Sequence, residues 1–394
     1  MKIAILGPIT SYDFYPLIKK KDRRSLPMGH GVSHLQNLAL GLVKLGHNVS
    51  IITLSSDIID KNRIIFCKNK KLKIYYCPLR NNLHRLRGLL YKKEVNHLSE
   101  AIEQDNPDLV YANWAYEYAL AASKSKKKYI LTNHDIPHLI IKYDKNITRL
   151  SRYFMACKNL RIAKKITAPS YYAKLETEKY TKIRVENIFN TSLGENLSKI
   201  KLKKKRIDKK LRIMMLNNGF VPFKNIKRGL VAFKEFNKFS PNSTLCLMGH
   251  QMKIGEKAYK WAKKNNLDKN VIFHGHVEHR DLLKIFPKFD VLLHTSLVET
   301  FGTIYIEAMI TGVPIIAGKY SGATSEIVGN NGLLVDVNNT EQIVNALKKY
   351  LQNPNLWKKI RYKANKYVKV KFDNKKIVKK YLNLFQKYLK KTKN

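Results

Sequence analysis

Along this chain short apolar, β-branched runs alternate with amphipathic helical stretches, and the alternation stops once and then restarts. Repeated strand–helix units bury each strand on both faces, which leaves a parallel sheet covered by helices on both sides. The first run predicts strands at Lys2–Leu6, Asn48–Leu54, Lys73–Cys77, Asp108–Tyr111, Lys128–Thr132, Lys165–Ala168 and Arg184–Ile188. Leu35, Leu38, Leu42 and Leu45 recur at spacings of three and four, predicting a helix over 31–45 that Gly46 ends. Around residues 191–210 the pattern collapses into polar and basic residues. It resumes with strands at Leu211–Leu216, Thr244–Met248, Asn270–Phe273, Phe289–His294, Val313–Ala317 and Leu333–Val335. Helices are predicted over 225–239, 255–265, 302–311, 340–352, 354–368 and 374–390. The α/β chain thus divides into a doubly wound domain over 1–195, a basic linker over 196–210, a second doubly wound domain over 211–372 and a basic C-terminal helix over 373–394. Ligands of such sheets sit outside the carboxyl ends of the strands, so the expected site is a cleft between two facing domains.

The charge narrows the function classes. Lys and Arg total 75 against 29 acidic residues, a formal net charge of +46. Residues 199–212 carry nine bases and one acid, whereas 289–347 carry one base, Lys319, against six acids. The surplus is a surface property that avoids the segment with the most informative motif. No basic helix with base-reading residues, RNP-type strand or zinc module accompanies it, which speaks against nucleic acid as partner. Residues 80–93 set Leu83, Leu86 and Leu90 on one helical face among five bases, the pattern of a helix lying on an anionic membrane surface. The four cysteines, Cys67, Cys77, Cys157 and Cys246, form no C-x-x-C pair, which fits a reducing compartment. The apolar start breaks at Gly7-Pro8, too soon for the core of a signal peptide, and no 18-residue apolar run occurs. The expectation is a cytoplasmic protein, peripheral on the inner face of the membrane.

The motif runs from His294 through Glu299, Phe301, Gly302 and Thr303 to Glu307. It leaves a strand end, turns, and enters a helix near Gly302. The amides of Phe301, Gly302 and Thr303 would then point out of a helix N-terminus, toward a phosphate or a sugar hydroxyl. Glu299 lies in the turn, and Glu307 lies about five residues into the helix, roughly 7–8 Å along its axis. One carboxylate can reach a sugar while the other reaches a ribose diol. His274-Gly-His276-Val-Glu278-His279 places alternate side chains on one face, as a metal site would, but no further ligand has a matching spacing. No metal is expected.

With the double α/β pattern, these residues resemble family 4 of the retaining glycosyltransferases, which have the GT-B fold, and the likeness covers nearly the whole chain. Gly29–Gly46 is similar to the family's first loop and helix. Thr132-Asn-His134-Asp135 resembles the segment bearing its active-site histidine. Ile166–Ser170 and Val185–Asn190 resemble the segments that close the first domain. Asn218-Gly219-Phe-Val-Pro-Phe-Lys224 sits where a diphosphate-binding loop is expected, and Gly312–Pro314 with Ser321–Glu326 complete the second domain. The resemblance implies that the C-terminal helices pack back toward the N-terminal domain and that Gly219 and Lys224 serve the donor diphosphate. It implies that Glu307 holds the ribose, that Glu299 and the Phe301–Thr303 amides orient the donor sugar, and that His134 meets that sugar. Gly29 and Gly31 would form a donor or acceptor loop, joined by His30 and His34. A nucleotide sugar is the implied co-substrate, with no cofactor, and a saccharide or lipid-linked molecule is the implied acceptor. No D-x-D triplet occurs. Phe220 stands where the family usually has an arginine, so Lys227, Arg228 or another base must supply that cation. Two rival readings remain: a nucleotide-sugar epimerase or a phosphorylase on the same fold, and a non-catalytic binding module.

Overall fold

The computed structural model describes residues 1–24, 26–29, 31, 33–58, 65–69, 71–80, 91–191, 193–194, 197 and 199–390. The helix expected over 80–93 falls largely outside the described residues, as does His30. Two compact units emerge. One comprises Met1–Ile141, Lys145–Gly194 and Phe372–Asn394, the other Lys142–Asp144 and Glu195–Lys371.

The first unit is built on an eight-stranded sheet of order β3-β4-β2-β1-β5-β6-β7-β8. Its strands are β1 (Lys2–Leu6), β2 (Asn48–Ser55), β3 (Ile65–Asn69), β4 (Leu72–Pro78), β5 (Leu109–Asn113), β6 (Tyr129–Thr132), β7 (Ile166–Ala168) and β8 (Val185–Asn187). Every pairing is parallel except β3 with β4, where Ile65 stands opposite Tyr76. That antiparallel edge departs from the all-parallel expectation. Lys70-Lys71 between the two strands offers none of the Asn-Gly or Asp-Gly chemistry that marks a hairpin in sequence. The central strands are apolar throughout because both faces are covered: all five residues of β5 are buried.

After a short helical turn at Lys20–Arg23, the first long helix, α1 (Ser33–Lys44), packs against the last, α14 (Asn374–Lys390). Gly41 permits the close approach, since a Cβ there would lie 2.6 Å from a Val378 methyl. Tyr381 and Phe385 of α14 sit 5.4 and 5.3 Å from the ring of Tyr111 on β5. The basic C-terminal helix is thus amphipathic, and its apolar face completes the core of the first unit.

The second unit has a six-stranded parallel sheet of order β11-β10-β9-β12-β13-β14. Its strands are β9 (Arg212–Leu216), β10 (Thr244–Met248), β11 (Val271–Gly275), β12 (Val291–His294), β13 (Ile315–Gly318) and β14 (Leu333–Val335). The basic stretch before β9 lies along this unit. Lys205 Nζ is 3.0 Å from the buried Asp290 carboxylate, which Arg212 grips through two nitrogens. Among the described residues no helix is long and apolar enough to cross a membrane.

Phe385 is fully buried, so Phe385→Ala should cost about 3–5 kcal/mol through lost burial and the cavity left behind. Denaturant unfolding of the full chain measures this; a loss below about 1 kcal/mol would mean that α14 does not share the core.

Candidate active site

In each sheet one central strand has neighbours that run away from it in opposite chain directions, and the loops there diverge to leave a crevice. In the second unit this point lies between β9 and β12. The loops that follow these strands are stitched together. Leu297 N donates to Phe223 O at 2.8 Å, Thr295 Oγ1 to Asn225 O at 3.0 Å, and Ser296 Oγ to Phe223 O at 3.3 Å. The stitching brings Lys224 to Glu299, with Nζ 2.6 Å from Oε1. His294, the last residue of β12, places Nε2 3.0 Å from the same oxygen. Burial alone would raise the pKa of Glu299, but the Lys224 ammonium and the His294 hydrogen bond outweigh it and hold the carboxyl well below the usual carboxylate range. The ionised carboxylate can only accept, so His294 carries its proton on Nε2. Its Nδ1 is buried without a partner.

Gly302 begins the helix α10 (Thr303–Thr311) in the left-handed region, at φ 77°. A side chain there is excluded, because its Cβ would lie 2.4 Å from the Tyr305 ring. That ring meets His294 edge-on at 5.2 Å, and its hydroxyl lies 2.9 Å from Thr324 Oγ1. Burial and the nearby Glu299 charge push the Tyr305 phenol well above its ordinary value, so it stays neutral. Phe301 is buried, and Thr303 opens the first turn. Glu307, one turn further on, is buried too, and its Oε1 lies 2.7 Å from His279 Nε2.

Gly219 adopts φ +101° just after β9. Beside it Asn217 is buried with neither its Oδ1 nor its Nδ2 partnered. Gly249 after β10 has φ +127°, and a Cβ there would come within 1.8 Å of the Asn217 carbonyl oxygen. Phe220 packs on Trp261 at 6.1 Å, and Lys227 Nζ lies 5.1 Å from the centre of the same indole. A lysine therefore joins the aromatic cluster of Phe220, whereas Arg228 turns to Thr340 Oγ1 at 3.2 Å. His276 Nε2 faces Glu278 at 3.3 Å, and its ring stacks on His250 at 4.5 Å. Among the described residues no three His, Cys, Asp or Glu side chains gather as a metal site would need.

In the first unit the corresponding point lies between β1 and β5. His134 is buried there with Nε2 2.9 Å from Asn113 Oδ1. Asn113 donates its amide to Leu6 O at 3.1 Å, which fixes the carboxamide and makes Oδ1 the acceptor. His134 therefore donates from Nε2 and presents Nδ1 as an acceptor. Burial, assisted by His34, holds its pKa well below the ordinary value, so the ring is neutral at pH 7. His34 and Trp114 flank it at 4.8 and 4.5 Å. Burial lowers the His34 pKa to about 3. Gly29, at φ +71°, donates its amide to Asp57 at 2.9 Å, and Gly31 donates to Thr10 Oγ1 at 3.0 Å. Both lie on the Ile9 and Thr10 backbone, too close for a Cβ.

The structure thus gathers Lys224, Glu299, Gly302, Thr303 and Glu307 on neighbouring loops and one helix, and sets His134 with the Gly29–Gly31 loop at the equivalent point of the other sheet. Sequence reasoning missed the partners of the carboxylates. His294 was visible as a polar residue ending an apolar strand, and His279 as part of a histidine-rich run. Asn217 and Trp114 carried no comparable signal.

Comparison with known proteins gives the class to which a chain with this fold and these residues belongs. Residues 31–190 match Glycosyltransferase Family 4 and residues 198–367 match Glycosyl transferases group 1. Over 314 residues the chain is 22% identical to N-acetyl-alpha-D-glucosaminyl L-malate synthase of Bacillus anthracis, spanning 76% of this chain and 80% of the relative. Its fold matches sucrose-phosphate synthase from Thermosynechococcus elongatus with a TM-score of 0.78 at 17% identity, covering 100% of both chains. Anabaena HepE, solved with UDP-glucose, matches with a TM-score of 0.69 at 16% identity over 98% of this chain and 100% of that one. The chain belongs to the family 4 glycosyltransferases, with the two Rossmann-like units of the GT-B fold. It is a glycosyltransferase.

Lys224→Met should leave the Glu299 charge buried beside His294 alone, costing about 3–5 kcal/mol at pH 7. In the wild type the depressed carboxyl contributes stability above its unfolded pKa and loses it only as pH falls through the folded one. In the variant, burial raises the carboxyl pKa instead, so its penalty fades on acidification. Denaturant melts at pH 7 and pH 4 should therefore show the gap between the two proteins shrinking at the lower pH; a gap that widens would contradict the pairing.

Proposed function

We propose that the protein moves a hexosyl or N-acetylhexosaminyl group, with retention, from a UDP- or GDP-linked donor to a saccharide or lipid-linked acceptor of the cell envelope. The observation that carries this reading is the pair of carboxylates, the partly buried Glu299 and the buried Glu307, each anchored through one oxygen to a histidine. Carboxylates anchored in this way are poised to accept hydrogen bonds from sugar hydroxyls. Glu307 takes the ribose diol and Glu299 the hydroxyls of the sugar in transit.

Lys224 neutralises the diphosphate. Its present partner is Glu299, so an arriving diphosphate draws the ammonium away while His294 keeps the carboxylate in place. The N-terminus of α10, with the Gly302 and Thr303 amides, adds partial positive charge where the leaving group develops negative charge. Gly219 lets the backbone turn beside the phosphates. In the first unit, His134 accepts a sugar hydroxyl at Nδ1, and the Gly29–Gly31 loop borders donor or acceptor. Lys227 provides the cation that Phe220 lacks. None of these groups is placed as a covalent nucleophile, which favours attack from the face the diphosphate leaves, with the departing phosphate oxygen taking the acceptor proton. The nucleotide sugar is the only co-substrate this scheme requires. The basic surface suits work at the inner face of a membrane that carries lipid-linked intermediates.

Titration calorimetry and thermal shift against UDP- and GDP-sugars test the scheme. One donor should raise the melting temperature strongly. Glu307→Ala should weaken its binding by about 1.5–3 kcal/mol, roughly one to two orders of magnitude in Kd. Unchanged affinity would remove Glu307 from the ribose. Turnover of the donor without any acceptor would point to an epimerase instead.

A further inference from the structure

Helix α5 (Ile147–Ile162) follows closely on His134 in the chain, and its two faces have different fates. The inner face is fastened: Ala156, Asn159 and Leu160 are buried, and Asn159 Nδ2 donates at 3.0 Å to the carbonyls of both Ala115 and Tyr116. On the outer face Ile147, Leu150 and Phe154 recur at spacings of three and four and remain 69%, 44% and 62% exposed. The same stripe continues into Lys158 and Arg161, both exposed. The preceding helix α4 (Pro137–Tyr143) buries none of its residues, although Leu139, Ile140 and Ile141 are apolar. Residues 136–165 hold eight bases and one acid, Asp144.

We infer that the outer face of α5 docks the protein on an anionic lipid bilayer, with Ile147, Leu150 and Phe154 entering the interface and Lys158 and Arg161 lying against the headgroups. A stripe of large apolar side chains kept outward by a pinned inner face needs an occupant, and a bilayer takes both of its halves at once. The apolar end gains burial among acyl chains, and the bases gain attraction to an anionic surface. A nucleic acid would satisfy the bases but leave Ile147 and Leu150 in water. A second copy of this face would bring like charge onto like charge. The inference deepens the lipid-linked acceptor proposed above and rests on that reading for its purpose, while its observations are independent of the donor site.

Co-sedimentation of the full chain with vesicles, in the absence of any donor, tests it. Binding should be strong to vesicles of phosphatidylglycerol and phosphatidylcholine and weak to phosphatidylcholine alone. The triple variant Ile147→Ser/Leu150→Ser/Phe154→Ser and the double variant Lys158→Glu/Arg161→Glu should each lower binding at least about ten-fold. Both variants should keep the wild-type melting temperature and donor affinity, since the substituted side chains are exposed. In Phe154→Trp, the indole emission should shift to the blue when anionic vesicles are added. Equal binding to both vesicle types, undiminished vesicle binding by either variant, or variants that lose binding to a single-stranded oligonucleotide while still binding vesicles like the wild type would overturn the inference. A failure here with intact donor calorimetry would strike the membrane face alone, and the reverse result would strike the catalytic scheme.

Discussion

The second unit's site turns on one contact, the Lys224 ammonium on the Glu299 carboxylate at 2.6 Å. Burial works against the ionised form of this partly buried carboxylate, and the cation beside it is the largest of the interactions that restore it. The cation in turn reaches it only because backbone hydrogen bonds tie the loop after β9 to the loop after β12. Those loops lie side by side because β9 and β12 pair in the sheet while the chain runs outward from them in opposite directions. Topology, loop stitching and charge pairing are successive conditions for one arrangement. His294 gives the same oxygen a second hydrogen bond, so the carboxylate does not depend on the cation alone for its position.

The first unit solves a similar placement with neutral groups. His134 has no cation or carboxylate in its hydrogen-bond scheme; its tautomer is set by Asn113, whose amide is set by the Leu6 carbonyl at the end of β1. The chain of bonds runs from the central strand to the imidazole, so the fold itself decides which ring nitrogen accepts. Burial against His34 and Trp114 removes the charged form. One sheet presents a carboxylate paired with a cation, the other an uncharged acceptor.

Much of this was legible beforehand. The strand–helix alternation located the parallel strands to within a few residues, because strands buried on both faces must be apolar and helices covering them must be amphipathic. Glu299, Gly302 and Glu307 stood out since a turn-and-helix spacing fixes their relative placement locally. The edge strand Ile65–Asn69 was missed because its hairpin lacks turn residues. The partner His279 was missed because its contact with Glu307 spans 28 residues of chain; His294 lies only five residues before Glu299, but the turn that folds the carboxylate back onto the strand end leaves no mark in the spacing. Phe220, read as a lost cation, packs against Trp261, the ring on which Lys227 also rests.

The charge pattern connects these pieces. The formal surplus is +46. Some bases next to the interior are paired, as Lys205 and Arg212 are with Asp290 and Arg80 with Glu94, whereas the buried Arg361 guanidinium donates to the Gly312 and Lys203 carbonyls. Residues 289–347, which carry both carboxylates of the site, hold almost no bases. Glu299 therefore meets few competing bases from its own stretch of chain, and further cations around it would contend with Lys224 for the same carboxylate. The excess charge sets the long-range field of the chain, whereas the Lys224–Glu299 pair fixes a local arrangement of charge inside the second unit.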